Sequence, residues 1–125
     1  WASWCGPCRR ANPHVVDVYN KYKKDGFTVF SVSLDGLDTR SKTRYDTAEK
    51  IDAQMKKEKQ KWVDAIAKDN LIWDTHVSDL KKWESDAASQ YGVRSIPTTF
   101  LIDKEGNVAA LNPRNNLEEQ VKKLI

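Results

Sequence analysis

Cys5 and Cys8 are the only cysteines in 125 residues, and just Gly6 and Pro7 separate them. That spacing constrains the chain more than any other feature. Two intervening residues put both sulfurs on one turn of helix, close enough to bond. At a helix start, unpaired backbone N–H groups and the helix dipole favour negative charge. A thiolate at Cys5 is stabilised there, which lowers its pKa below the free value of about 8.5. Cys5 is therefore the expected nucleophile toward a disulfide, and Cys8, one turn inside, the expected resolving thiol. Pro7 falls in the first turn, where its missing N–H does no harm, and it stiffens the loop. Gly-Pro between the cysteines and Trp4 before them argue for a presented turn rather than two inert buried thiols.

Other uses of two cysteines fit less well. A zinc site needs two further ligands. His14 lies on the same predicted helix, and His76 is far along the chain. One bridge does not make a disulfide framework. Cys-x-x-Cys next to a βαβ pattern reads first as a redox motif, and no metal or cofactor is expected.

The rest of the chain supplies such a pattern. Residues 6–24 read as a helix with Val15, Val16, Val18, Tyr19 and Tyr22 on its apolar side. Pro13 should kink it, and Asp25-Gly26 should stop it. Phe27 to Ser33 is rich in β-formers and fits a buried strand. Residues 34–45 are polar and read as a loop. A helical region follows over about 46–69, with Ile51, Met55, Trp62, Val63 and Ile66 as its apolar face. Residues 56–61 carry no apolar side chain, which leaves one helix or two. Leu71 to Val77 holds a short strand, and Asp86 to Tyr91 a short helix stopped by Gly92. Thr98 to Ile102, a turn at Lys104-Glu105-Gly106-Asn107, and Val108 to Leu111 form a hairpin. Asn115 or Asn116 caps a last helix with Leu117, Val121 and Leu124 inside. This order predicts an α/β domain, a mixed sheet flanked by helices.

Composition narrows the function. The formal net charge is +3, too small and too dispersed to argue for nucleic acid. Lys56, Lys57, Lys59 and Lys61 are interrupted by Glu58 and read as a solvated helix face. No stretch approaches the roughly 18 apolar residues of a membrane span, and no signal peptide is visible.

Trp1-Ala2-Ser3-Trp4-Cys5-Gly6-Pro7-Cys8-Arg9-Arg10 resembles the active-site segment of thioredoxin-like proteins. Within them it is similar to the bacterial TlpA/ResA-like thiol–disulfide oxidoreductases. Tyr91-Gly92-Val93-Arg94-Ser95-Ile96-Pro97-Thr98-Thr99-Phe100-Leu101-Ile102-Asp103 is similar to that family's stretch around its cis-proline, and the following hairpin continues the likeness. The similarity covers most of residues 1–125. Residues 38–58 look like a helical insertion. The resemblance implies a cis Ile96–Pro97 bond beside Cys5, a form found in only about 5–6% of X–Pro bonds. The Ile96 backbone would then pair with a substrate strand. Trp4, Gly6, Pro7, Ile96 and Pro97 are accordingly the expected supporting and substrate-binding residues around the catalytic Cys5 and Cys8.

The resemblance further implies protein disulfide substrates, with apo-cytochrome c among them, a thiol electron donor, and a bacterial periplasmic or cell-envelope location. It places a central strand before Trp1, so the chain is expected to be part of a longer protein and to lack the strand or strands before its active-site helix. One departure stands out. Ala11 occupies the position of a buried Glu in many relatives, and no acidic residue is seen to take its place for proton transfer with Cys8. His14 and Asp17 read as helix-surface residues. Thiol–disulfide exchange, in the reducing direction, is the leading function. A peroxide-reducing, peroxiredoxin-like enzyme is the alternative, weakened because Pro-x-x-x-Thr-x-x-Cys is absent before Cys5. A redox-inert thioredoxin-like binding module is another, weakened because both cysteines are kept.

Overall fold

A computed structural model describes residues 1–125. Helix α1 (Gly6–Tyr22) runs through Pro13 without interruption and ends in a 3₁₀ turn, Lys23–Asp25. Strand β1 (Ser31–Val32), the short helix α2 (Thr39–Lys42) and the long helix α3 (Ala48–Lys68) follow. Next come β2 (His76–Val77), a 3₁₀ turn at Lys82–Glu84, and α4 (Asp86–Gln90). The hairpin β3 (Phe100–Ile102) and β4 (Val108–Leu111) precedes α5 (Leu117–Leu124). No helix is long and apolar enough to cross a membrane.

Parallel and antiparallel pairing both occur, in two separate two-stranded sheets. β1 pairs parallel with β2, Ser31 opposite His76. β3 pairs antiparallel with β4, Leu101 opposite Ala110. Residue 1 lies alongside β1: its nitrogen donates to the Val32 carbonyl at 3.1 Å, and the Leu34 N–H donates to the Trp1 carbonyl at 2.8 Å. The segment entering α1 is thereby tied to the chain leaving β1.

The expected strand Phe27–Ser33 is shorter, with only Ser31–Val32 forming ladder pairs. Upstream, Phe27 and Val29 are half-buried while Thr28 and Phe30 face out, Phe30 being 64% exposed. The segment is extended with one covered face, and its partner chain reaches it only near residues 75–77. Residues 34–45 are irregular, as expected, except for α2, but the first part of the segment is covered rather than solvated. Leu34, Asp35 and Leu37 are buried, and α2 forms inside the segment because Asp38 and Ser41 make a reciprocal capping box.

α3 is one helix. Thr47 caps it by accepting the Lys50 N–H at 3.2 Å, and its Ala, Glu, Lys, Gln and Met content favours helix. Along α3 and its C-cap Asp69 the covered positions are Ile51, Gln54, Met55, Glu58, Trp62, Ala65, Ile66 and Asp69, which recur at three- and four-residue spacing along one face. Glu58 fills the apolar gap by accepting from Gln54 at 2.8 Å and Lys61 at 3.3 Å. Val63, expected inside, is 45% exposed, because it lies off that stripe. Lys56, Lys57, Lys59 and Lys61 are exposed.

Two apolar clusters hold the chain. One packs Val18 of α1 against Leu101, Leu117 and Val121. The other joins Ala2, Cys5, Cys8, Leu34 and Ala88. Asn116 occupies the N-cap position of α5 but makes no side-chain cap there. Its Oδ1 accepts from the Arg114 N–H at 3.2 Å instead, so the expected Asn cap is not formed.

Candidate active site

Cys5 is the N-cap of α1, with extended backbone (φ −90°, ψ 102°), and Pro7 lies in the first turn. The Cys5 Sγ accepts a hydrogen bond from the Cys8 N–H at 3.2 Å. One of the helix's orphan donors therefore points at the sulfur rather than at a hydroxyl or carboxylate cap. Cys5 and Cys8 form a disulfide, with Cα atoms 5.3 Å apart. Both residues are buried, at 4% and 2% exposure, so the sulfurs are less openly presented than the sequence suggests. Gly6 and Pro7 between them are exposed, and Trp4 is 47% exposed.

The second expected segment arrives at the same place. The Ile96–Pro97 bond is cis. Ile96, together with Trp1 and Val93, packs against the cluster that contains Cys5 and Cys8. The structure thus brings the cysteine turn and the Ile96–Pro97 segment to one core, with Trp4 on the outside. His14 and Asp17 are exposed on α1, in keeping with a surface role.

Two features around the cysteines escaped the sequence reading. Asp35 is wholly buried and accepts the Ser3 N–H at 3.1 and 3.3 Å, the Ser3 hydroxyl, and the Ser33 hydroxyl at 2.5 Å. Arg9, next to Cys8, donates Nε and Nη2 to the two Asp69 oxygens at 3.0 and 2.9 Å, and Nη1 to the Ser3 carbonyl at 3.3 Å. Asn12 adds a third bond to Asp69 at 3.0 Å. The Asp69 carboxyl is held below its usual range, first by the Arg9 hydrogen bond, against a smaller opposing effect of burial. The sequence signal for Asp35 was its place just after a β-rich run. For Asp69 it was the position closing a 3.6-residue stripe; neither signal named a partner.

A family model described as AhpC/TSA family matches residues 1–111. The thiol-disulfide oxidoreductase ResA of Bacillus thuringiensis subsp. konkukian (strain 97-27) is 30% identical over 99% of this chain. The chain spans 60% of that relative's length. Among solved structures, a thiol-disulfide oxidoreductase from Bacteroides fragilis NCTC 9343 superposes with a TM-score of 0.76 at 30% identity, over 100% of this chain and 77% of that one. A thiol:disulfide interchange protein from Bacteroides sp. gives 0.69 at 26% identity, over 100% of this chain and 68% of that one. The fold is thioredoxin-like.

Proposed function

The chain belongs to the AhpC/TSA family, and we propose that it is a thiol–disulfide oxidoreductase working through Cys5 and Cys8, in the reducing direction. The observation that carries this reading is the Cys5 sulfur at the N-cap of α1, taking the Cys8 N–H and bonded to the Cys8 sulfur. Reduced, Cys5 as thiolate attacks one sulfur of a substrate disulfide and expels the other as a thiol. Cys8 then attacks Cys5 Sγ, re-forming the internal disulfide and releasing the second substrate sulfur reduced. Two electrons pass to the substrate, and an external thiol donor returns them to the Cys5–Cys8 pair. Trp4, Gly6 and Pro7 are the exposed or half-exposed frame of that exchange, with Ile96 and Pro97 as the neighbouring substrate-docking segment.

The relatives' names favour disulfide exchange over peroxide reduction. So does Ala2, which stands three residues before Cys5 where the peroxidatic pattern has Thr. Residues 38–58 are proposed as a peripheral helical insertion. Protein disulfides in the bacterial cell envelope, apo-cytochrome c among them, are the proposed substrates, carried over from the TlpA/ResA-like resemblance. The test is an insulin-disulfide reduction assay. The parent chain should turn over, and Cys5→Ser should abolish turnover. Peroxide consumption without disulfide reduction would favour the peroxidase reading, and activity surviving Cys5→Ser would remove Cys5 from the mechanism.

A further inference from the structure

Every polar group of Ser3, two residues before Cys5, is engaged. Its N–H and hydroxyl donate to Asp35, and its carbonyl accepts from Arg9 Nη1. The turn then closes through the Cys5 N–H to the Ala2 carbonyl at 3.1 Å. Asp35 is itself fixed: its N–H donates to Ser33 Oγ at 2.9 Å, and its carbonyl accepts the Lys82 N–H at 3.2 Å. Its neighbour Leu34 packs in the cluster that holds both cysteines. The Asp35 carboxylate is met by amide and hydroxyl donors, with no Lys, Arg or His nitrogen within 4.0 Å. A carboxylate wholly out of solvent and without a paired cation is weakly screened, so its field reaches neighbouring groups. The cations nearest in effect are the Trp1 ammonium and the Arg9 guanidinium, both attracted to Asp35, the latter held above its usual range first by the Asp69 hydrogen bond.

We propose that Asp35 is a positioning residue of the dithiol site, which fixes through Ser3 the turn carrying Trp4 and Cys5 and whose buried charge makes the Cys5–Cys8 pair a stronger reductant. Reduction of the disulfide takes up two electrons, breaks the Sγ–Sγ bond, and leaves a Cys5 thiolate and, after uptake of one proton, a Cys8 thiol. A nearby negative charge disfavours the thiolate. The reduced form is destabilised relative to the disulfide, and the couple moves toward lower potential. This rests on the redox reading of Cys5 and Cys8 above.

The test equilibrates the chain with dithiothreitol, which requires no turnover of a protein substrate. A failure of the insulin assay and a failure of this inference are thus separate results. Asp35→Asn keeps an acceptor for the Ser3 N–H and removes the charge. Its disulfide should become easier to reduce by about tenfold in the equilibrium constant, or about 30 mV for a two-electron couple. Ser3→Ala keeps the charge and loses one donor. Its equilibrium constant should stay near the parent's while its initial rate with a peptide disulfide falls. A folded Asp35→Asn chain with an unmoved equilibrium constant overturns the electrostatic role. An unchanged Ser3→Ala rate overturns the positioning role. If Asp35→Asn does not fold, the unsubstituted chain decides the electrostatic role. Reduction should displace the carboxyl carbon resonance of Asp35, and an unmoved resonance overturns that role.

Discussion

The Arg9 guanidinium grips the Asp69 carboxylate at two points, 3.0 and 2.9 Å, and so bolts the cysteine-bearing helix α1 to the C-terminal end of α3. The two residues are 60 positions apart, and both side chains are mostly covered, at 29% and 14% exposure. A forked, charge-assisted contact of this kind is among the stronger protein hydrogen bonds. It places α3 beside the turn that holds Ser3, since the same guanidinium reaches the Ser3 carbonyl.

Arg9→Lys should therefore behave as a disruptive change. An ammonium is a point donor and cannot reproduce the planar fork. Loss of the paired hydrogen bonds should lower stability by about 1–3 kcal/mol, read as a shift of the urea midpoint at unchanged slope. A double-mutant cycle with Asp69→Asn should show coupling, because each single change removes the same contact. Additive losses would mean the fork contributes nothing of its own.

Acid should weaken the fold through the same carboxylate. Asp69 is depressed below the ordinary carboxylate range, first by the Arg9 hydrogen bond. Asp38, the cap of α2, is depressed first by the Ser41 side chain. A group whose folded pKa is lowered contributes stability that is fully present above its unfolded pKa. That contribution is lost as pH falls through the folded pKa. Stability from these two groups should hold at neutral pH and fall away below about pH 4, the ordinary range of an unfolded Asp. Asp69→Asn should flatten that acid limb in urea melts run from pH 7 to pH 2. An unchanged limb would place the acid sensitivity elsewhere.

Gly36 should tolerate no side chain. It has φ +106°, and a Cβ there would lie 2.0 Å from the Leu80 carbonyl oxygen. The backbone contact is close because Leu37 N–H bonds the Leu80 carbonyl at 3.0 Å and Lys82 N–H bonds the Asp35 carbonyl. Gly36→Ala adds steric overlap to a strained backbone, itself a cost of about 1–3 kcal/mol. Thermal melts should show a loss larger than that of Gly26→Ala, whose Cβ would meet nothing within 4 Å despite a similar φ.

Much of this architecture was legible in the sequence, for local reasons. α1, α4, the hairpin and α5 follow from apolar period, Gly stops and turn residues, which act within a few positions. The cysteine pair and Ile96–Pro97 were legible because their motifs are short. The misjudged parts depend on partners far along the chain. Phe27–Ser33 has the composition of a full strand, yet only Ser31–Val32 forms ladder pairs with a neighbouring strand. Leu34, Asp35 and Leu37 sit in a polar-looking stretch, and they are buried because residues 80–82 and the Ser3 turn close over them. Asp35 illustrates the limit. A lone Asp after a strand is usually solvated, and nothing local announces that two serines, 32 and two positions away, will satisfy it.

Reactivity should distinguish the two thiols although exposure does not. In the disulfide form Cys5 and Cys8 are both buried, at 4% and 2%, so access alone gives neither an advantage. Their electrostatic positions differ. Cys5 is the N-cap, outside the first turn, and its sulfur takes the Cys8 N–H. Cys8 is the third helical residue. After reduction, charge on the Cys5 sulfur is favoured by that donor and by the helix dipole. Alkylation of the reduced chain near neutral pH should accordingly label Cys5 first. Cys8→Ser should accumulate a mixed disulfide with a peptide substrate, since the thiol that resolves it is gone. Cys5→Ser should accumulate none. Mass spectrometry of briefly alkylated and of substrate-treated chains reads both outcomes. Preferential labelling of Cys8, or a trapped adduct in Cys5→Ser, would reverse the assignment of nucleophile and resolving thiol.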